Sequence, residues 1–305
     1  MRARRRISVR AKLTRLAFRA LMKRSGRALS IAQIRSRFAR MQRLVPPPPR
    51  GTTTRRVDAR GVAGDVVTTR ASLPGRHLLY LHGGAYTVGA PRLYRHFTWR
   101  IADAARARVL VIDYRLAPEH PFPAALDDAV AAWRWLLDSG ADPRQMLVAG
   151  DSAGGGLALA MMLKLRDDGL PLPAAAVAMS PWTDLALTAP SFRDNAEADP
   201  MLVAEDVPRF AAGYLAGADA RDPYASPLYG DPRGLPPTLL QAGSDEILRD
   251  DAVRMADAMR AAGCDVELQV WPKMPHTWQL LAPVLPEARA ALREIARFLE
   301  RSTDA

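Results

Sequence analysis

The sequence predicts an α/β domain: a mostly parallel central sheet with helices on both faces. Three observations carry that expectation. From residue 77 onward, short apolar runs alternate with stretches of helical periodicity, and such alternation implies right-handed crossovers between parallel strands. The pattern Gly150-Asp151-Ser152-Ala153-Gly154 sits where the apolar run Leu147–Ala149 gives way to a helical stretch. The chain has 305 residues, 49% hydrophobic and 25% charged, enough for one such domain with insertions.

The N-terminal arm precedes that domain. Val9, Leu13, Leu16 and Ala20 recur at helical steps, and Lys12, Arg15, Arg19 and Lys23 mark another face, so residues 8–23 form a basic amphipathic helix. A second helix begins after Ser30, with Gln33 set for a capping box and Ile31, Ile34, Phe38 and Met41 as its stripe. Pro46 to Pro49 end it. Residues 1–50 hold 16 of the 43 Lys and Arg and none of the 32 Asp and Glu, which leaves residues 51–305 at a net of −5. A basic arm on a mildly acidic body gives no reason to expect a nucleic-acid partner. Three readings of the arm stand: a lid over the body, a helix pair resting on an anionic membrane surface, or a solvated extension.

Residues 54–58 and 65–70 read as edge strands, and His77–Leu81 as a buried strand running into His82-Gly83-Gly84-Ala85. A helix over 92–105, a strand over 108–113, a proline-rich connection and a helix over 124–137 lead to the serine. Ala174–Met179 is a further strand. Residues 183–235, rich in Pro, Asp, Ala and aromatics, interrupt the alternation and read as an insertion with one helix over 204–215. Strands at 238–242 and 266–271 and helices at 250–262 and 286–301 complete the domain, 51–305. No apolar run approaches the roughly 18 residues that span a bilayer. No apolar core follows the Arg-rich start, so a secretory signal is not expected. With one cysteine, Cys264, no intrachain disulfide forms, and a cytoplasmic setting is expected, with peripheral membrane association open through the arm.

The sharp strand–turn–helix setting exposes the Ser152 hydroxyl, and the helix from Ala153 aims its N–H groups at the same spot. A serine hydroxyl needs a base, and the base needs an orienting acid. Of the five histidines His77, His82, His96, His120 and His276, only His276 lies on a loop between the last strand and the last helix. His120 is expected to make a structural hydrogen bond. The acid should follow the strand ending at Ala242, which selects Asp245, with Glu246 and Asp250 as rivals. The order Ser152, Asp245, His276 is that of the α/β-hydrolase fold. The backbone N–H groups of Ala153 and of the loop at Gly83 and Gly84, with Ala85 a further candidate, are the expected oxyanion donors. No metal-ligand cluster stands out, and neither metal nor cofactor is expected.

The assembled motifs resemble the hormone-sensitive-lipase-like family of α/β-hydrolases, bacterial carboxylesterases included. They are H-G-G at 82–84, Y-R-L-A-P-E-H-P-F-P-A at 114–124, G-D-S-A-G-G at 150–155, S-P-W at 180–182 and D-x-x-L-x-D at 245–250. The resemblance implies a serine esterase acting on small esters with short or medium acyl chains, and a lid built from residues 1–50 and 183–235. It also implies structural roles for Glu119 and Asp151. Two departures are Ala85, where the family has a third glycine, and Thr277-Trp278 after the histidine in place of the frequent Gly-Phe, which places a different residue at the pocket edge. Tyr86, Trp182, Phe210 and Tyr214 are expected either to line an acyl pocket or to pack within the lid. The alternatives are an interfacial lipase or lactonase on the same triad and a non-catalytic ligand-binding module. The oligomeric state is open, a homodimer included.

Overall fold

The computed structural model describes residues 7–22 and 29–303, the side chains of 21 and 22 apart. Lys23 and the first six residues of the arm lie outside the described residues. The described chain contains an arm of two helices, α1 (Val9–Met22) and α2 (Ile31–Leu44). Ser30 caps α2 in a capping box: its hydroxyl accepts the Gln33 N–H, and Gln33 returns a bond to the Ser30 N–H.

Eight strands follow: β1 (Thr53–Ala59), β2 (Val62–Thr68), β3 (His77–Leu81), β4 (Arg108–Ile112), β5 (Met146–Asp151), β6 (Ala175–Met179), β7 (Thr238–Gly243) and β8 (Val266–Trp271). They form one sheet in the order β1-β2-β4-β3-β5-β6-β7-β8. The β1–β2 and β2–β4 pairings are antiparallel and the remaining five are parallel. The helices between them are α3 (Pro91–Ala105), α4 (Ala124–Asp138), α5 (Ala153–Asp167), α6 (Pro190–Asp194), α7 (Val207–Leu215) and α8 (Arg249–Ala261), and α9 (Pro286–Thr303) follows β8.

Covering both faces explains why the central strands are mostly apolar, without the regular alternation of a half-exposed sheet. Every residue of β5, β6 and β7 is buried. Successive strand side chains go to opposite faces. Leu79, Leu81 and Val148 join a core with α4, α5 and α8, whereas Leu78, Tyr80 and Leu147 join a second core with α3 and α9. Residues 180–237 leave the sheet after β6 and return at β7, carrying α6 and α7. Among the described residues no helix is long and apolar enough to cross a membrane.

Candidate active site

β5 delivers Ser152 to the junction with α5, where its φ of 55° and ψ of −125° are forced on a non-glycine residue. Such a conformation costs on the order of 1–3 kcal/mol and persists only where the surroundings hold it. The Ser152 N–H bonds to the Met179 carbonyl at 2.9 Å, and its own carbonyl accepts from Gly155, Gly156 and Trp182. The turn is too tight for side chains on either flank. A Cβ on Gly150 would fall 2.1 Å from the Gly154 carbonyl oxygen, and one on Gly154 2.1 Å from that of Leu81.

His276, on the loop after β8, places Nε2 2.9 Å from Ser152 Oγ. Its Nδ1 lies 2.6 Å from Oε2 of Glu246, which is fully buried. This corrects the expected acid. Asp245 turns away from the histidine, pairs with Arg15 of α1 at 2.7 Å and accepts the Ser244 hydroxyl at 2.7 Å. The physical reason lies in the turn after β7. Glu246 Oε1 accepts the Gly243 N–H and the Ser180 hydroxyl at 3.0 Å, so the carboxylate is held under the imidazole. Asn195 donates to the carbonyls of Ser244 and Glu246, and Asp199 accepts the Ile247 N–H. Asp250, the other rival, bonds to Arg249 and to Ser191. Burial lowers the affinity of His276 for a proton, but Glu246, through its hydrogen bond and its charge, with Asp199 and Asp151, more than offsets this. The imidazole pKa is therefore raised above its ordinary 6.5.

The loop after β3 lies against the elbow: a Cβ on Gly83 would come 3.1 Å from Ser152 Cβ. Gly83 itself is not available to an oxyanion, contrary to expectation. Its N–H donates to Asp151 Oδ1 at 3.0 Å and to the Tyr94 hydroxyl oxygen at 2.9 Å. Among the described residues, no acceptor takes the N–H of Gly84, Ala85 or Ala153. Gly84 stands at φ 127°, and Ala85 and Tyr86 follow at 52° and 57°. Those last two values lie in the small left-handed region that a residue with a Cβ can enter, so alanine serves where a third glycine was expected.

Asp151 is buried and accepts from Tyr80 at 2.7 Å and from Tyr94 at 3.0 Å as well as from Gly83. Burial pushes its carboxyl up to about 6 against those bonds. It ties β3, α3 and the elbow together, and its hydrogen bonds go to Tyr80, Tyr94 and Gly83 rather than to the histidine ring. His82 is also buried, stacks on Tyr114 at 4.3 Å and is pushed down to about 4 by burial, so it is neutral. His96 bonds to the Leu93 carbonyl. His120 is exposed and bonds through its backbone N–H to Leu116.

Three of the four aromatic candidates meet in one buried cluster: Tyr86 stacks on Tyr214 at 3.7 Å, with Trp182 6.2 Å away. Phe210 packs against this core with the Arg209 guanidinium over its ring. The cluster fills space beside the elbow, since a Cβ on Gly156 would touch both Trp182 and Tyr86. Trp278 is fully buried against Trp271. A groove of about 330 Å³ runs along the flank of α1 at its seam with the body, with Lys12 and Leu16 on its outer rim and Arg15, Pro200 and Lys273 among its lining; Ser152 does not line it.

The arm is fastened over this end of the sheet by arginines. Arg35 of α2 grips both carboxylate oxygens of Glu119 and the carbonyls of Thr87 and Ala117, all at 2.7–2.8 Å. The Arg35 guanidinium, with the Glu119 N–H and lesser charges, holds the Glu119 carboxyl down at about 2. Arg15 bridges Asp245 and the Lys273 carbonyl.

Residues 78–280 match the model of a family described as having the α/β-hydrolase fold. The chain is 49% identical over 249 residues to an acetyl-hydrolase of Streptomyces hygroscopicus, covering 79% of this chain and 83% of that protein. It is 36% identical to an esterase of Acinetobacter venetianus, covering 78% of each. Among solved structures, an esterase from the bacterial hormone-sensitive lipase family superposes with a TM-score of 0.92 at 41% identity, covering 98% of this chain and 100% of the other. The esterase EstE5, soaked with p-nitrophenyl butyrate, superposes with a TM-score of 0.93 at 38% identity and the same coverage.

Proposed function

The chain belongs to the α/β-hydrolase-fold family, among esterases of the bacterial hormone-sensitive lipase kind, and on that premise we propose that this carboxylic-ester hydrolase works through Ser152, His276 and Glu246. The observation that carries the reading is the unbroken line from Ser152 Oγ through the imidazole to the Glu246 carboxylate, at 2.9 and 2.6 Å. Ser152 attacks the ester carbonyl while His276 Nε2 takes its proton. Glu246 holds the tautomer that leaves Nε2 able to accept it, and stabilises the imidazolium. The oxyanion is received by the N–H groups of Gly84, Ala85 and Ala153, each worth about 3–4 kcal/mol of barrier. His276 then gives its proton to the leaving alcohol, and water, activated by the same base, releases the acyl group.

Short acyl chains fit best, because the Tyr86–Tyr214–Trp182 cluster fills space beside the elbow. The acetyl-hydrolase name of the Streptomyces relative agrees with that choice. Ser152→Ala is expected to abolish hydrolysis of p-nitrophenyl acetate and butyrate with the fold intact by circular dichroism. A fluorophosphonate probe should label Ser152, which a pure binding module would not allow. Activity retained within about tenfold in Ser152→Ala would remove the mechanism.

A further inference from the structure

α1 docks on the body by the opposite face from the one its apolar stripe suggests. Ala11 is buried, Arg15 reaches Asp245 and Lys273, Arg19 bonds to the Glu197 carbonyl, and Ser8 holds Glu287. The stripe of Val9, Leu13 and Leu16 is left facing water at 69%, 60% and 64% exposure. α2 repeats the arrangement at its end, where Met41 and Leu44 are exposed. Arg10, Lys12, Arg37, Arg40 and Arg43 are exposed as well, and no described carboxylate pairs with any of them.

An outward apolar stripe, bordered by cations with no anion in the first 50 residues, matches one surface: acyl chains beneath anionic headgroups. A second copy of the chain would set an all-basic arm against its own like. A nucleic acid would reward the cations and leave the leucines in water. We propose that the outer face of α1, with Leu13 and Leu16 entering the acyl boundary and Arg10 and Lys12 at headgroup level, docks this protein on an anionic phospholipid bilayer. The same helix is bonded to Asp245 and Lys273, on the two loops that carry Glu246 and His276, so docking brings the roof of the site to the lipid surface. The inference does not rest on the identity of the triad.

The test is cosedimentation of the full chain with vesicles, either phosphatidylcholine alone or phosphatidylcholine containing phosphatidylglycerol. The wild type should pellet with the mixed vesicles and at least about tenfold less with the neutral ones. The Leu13→Glu/Leu16→Glu variant should lose about tenfold or more of that binding, with hydrolysis of soluble p-nitrophenyl butyrate unchanged. If the double variant loses hydrolysis, Leu16→Gln with hydrolysis intact takes its place. Three results would overturn the proposal: a wild type that stays in the supernatant, stripe variants that pellet equally, or a wild-type dimer that the stripe variants convert to monomer while vesicle binding is nil.

Discussion

Replacing Glu246 with glutamine tests the site at the place where two adjacent residues compete for one role. Oε1 of Glu246 accepts two donors, the Gly243 N–H and the Ser180 hydroxyl. In Glu246→Gln the amide oxygen must take that position, since an NH₂ group there would face a backbone N–H. The NH₂ is then directed at His276 Nδ1, which becomes an acceptor, and the ring proton moves to Nε2. A protonated Nε2 cannot take the proton of Ser152. The analogous exchange in a serine triad lowers kcat by about 10⁴, equivalent to about 5.4 kcal/mol of barrier. Asp245→Asn loses only a pair with Arg15, both side chains about one-fifth exposed. A pair of that kind contributes about 0.2–1 kcal/mol to stability, and because Asp245 bonds to Arg15 rather than to His276, activity should stay near that of the wild type. Initial rates on p-nitrophenyl butyrate, with circular dichroism and fluorophosphonate labelling of each variant, read the difference directly. An inert Asp245→Asn beside a nearly wild-type Glu246→Gln would refute the assignment.

Further outcomes follow from the same contacts. Because the His276 pKa is raised and only the neutral imidazole accepts the serine proton, kcat/KM should fall tenfold per pH unit on an acid limb centred above 6.5; a limb centred below that value contradicts the Glu246 contact. Gly84→Ala sets a Cβ 2.0 Å from the Val88 carbonyl oxygen at φ 127°, so thermal denaturation should show a loss of more than about 1 kcal/mol and esterase assays a collapse. Ala85→Gly keeps the N–H and a permitted φ, and its kcat should stay within about threefold of wild type. Arg35→Ala removes the grip on Glu119, Thr87 and Ala117, and limited proteolysis should then cut faster within residues 44–50, with the acid limb of the pH profile unmoved. Arg15→Ala and Asp245→Asn should be strongly non-additive, because each removes the same ion pair; fully additive losses in kcat would show that Arg15 acts elsewhere.

The parts of the molecule legible in the sequence are those specified by local chemistry. The central strands announce themselves as apolar runs because both faces are covered, and Ser152 because only glycine tolerates the approach of Leu81 to the start of α5. His276 is found by its place after the last strand. The choice between Asp245 and Glu246 is different in kind. Both follow β7, and what separates them is the direction of a turn set by Asn195, Asp199 and Ser180, which bond to it across 48 to 66 positions of chain. Gly83 fails as a donor for a similar reason, since its N–H is taken by Asp151 and Tyr94, which no spacing rule places beside it. The one available signal was polar surplus: a buried carboxylate directly before Ser152 must find donors, and a backbone N–H of the neighbouring loop lies nearest.

The arm shows why amphipathicity alone does not fix orientation. A helical period divides α1 into an apolar and a basic face, and the usual inference buries the apolar one. Here residues 51–305 carry a net of −5 and offer carbonyls and carboxylates at the loops above the sheet. Guanidinium groups match such acceptors better than leucine does, since each carbonyl left without a donor under the helix would keep its desolvation cost. Docking through Arg15 and Arg19 therefore satisfies the polar roof of the site. It also leaves Val9, Leu13 and Leu16 outside, where water gives them no partner. One choice of face thus settles two matters: how the loops bearing Glu246 and His276 are covered, and which chemistry the outer surface presents.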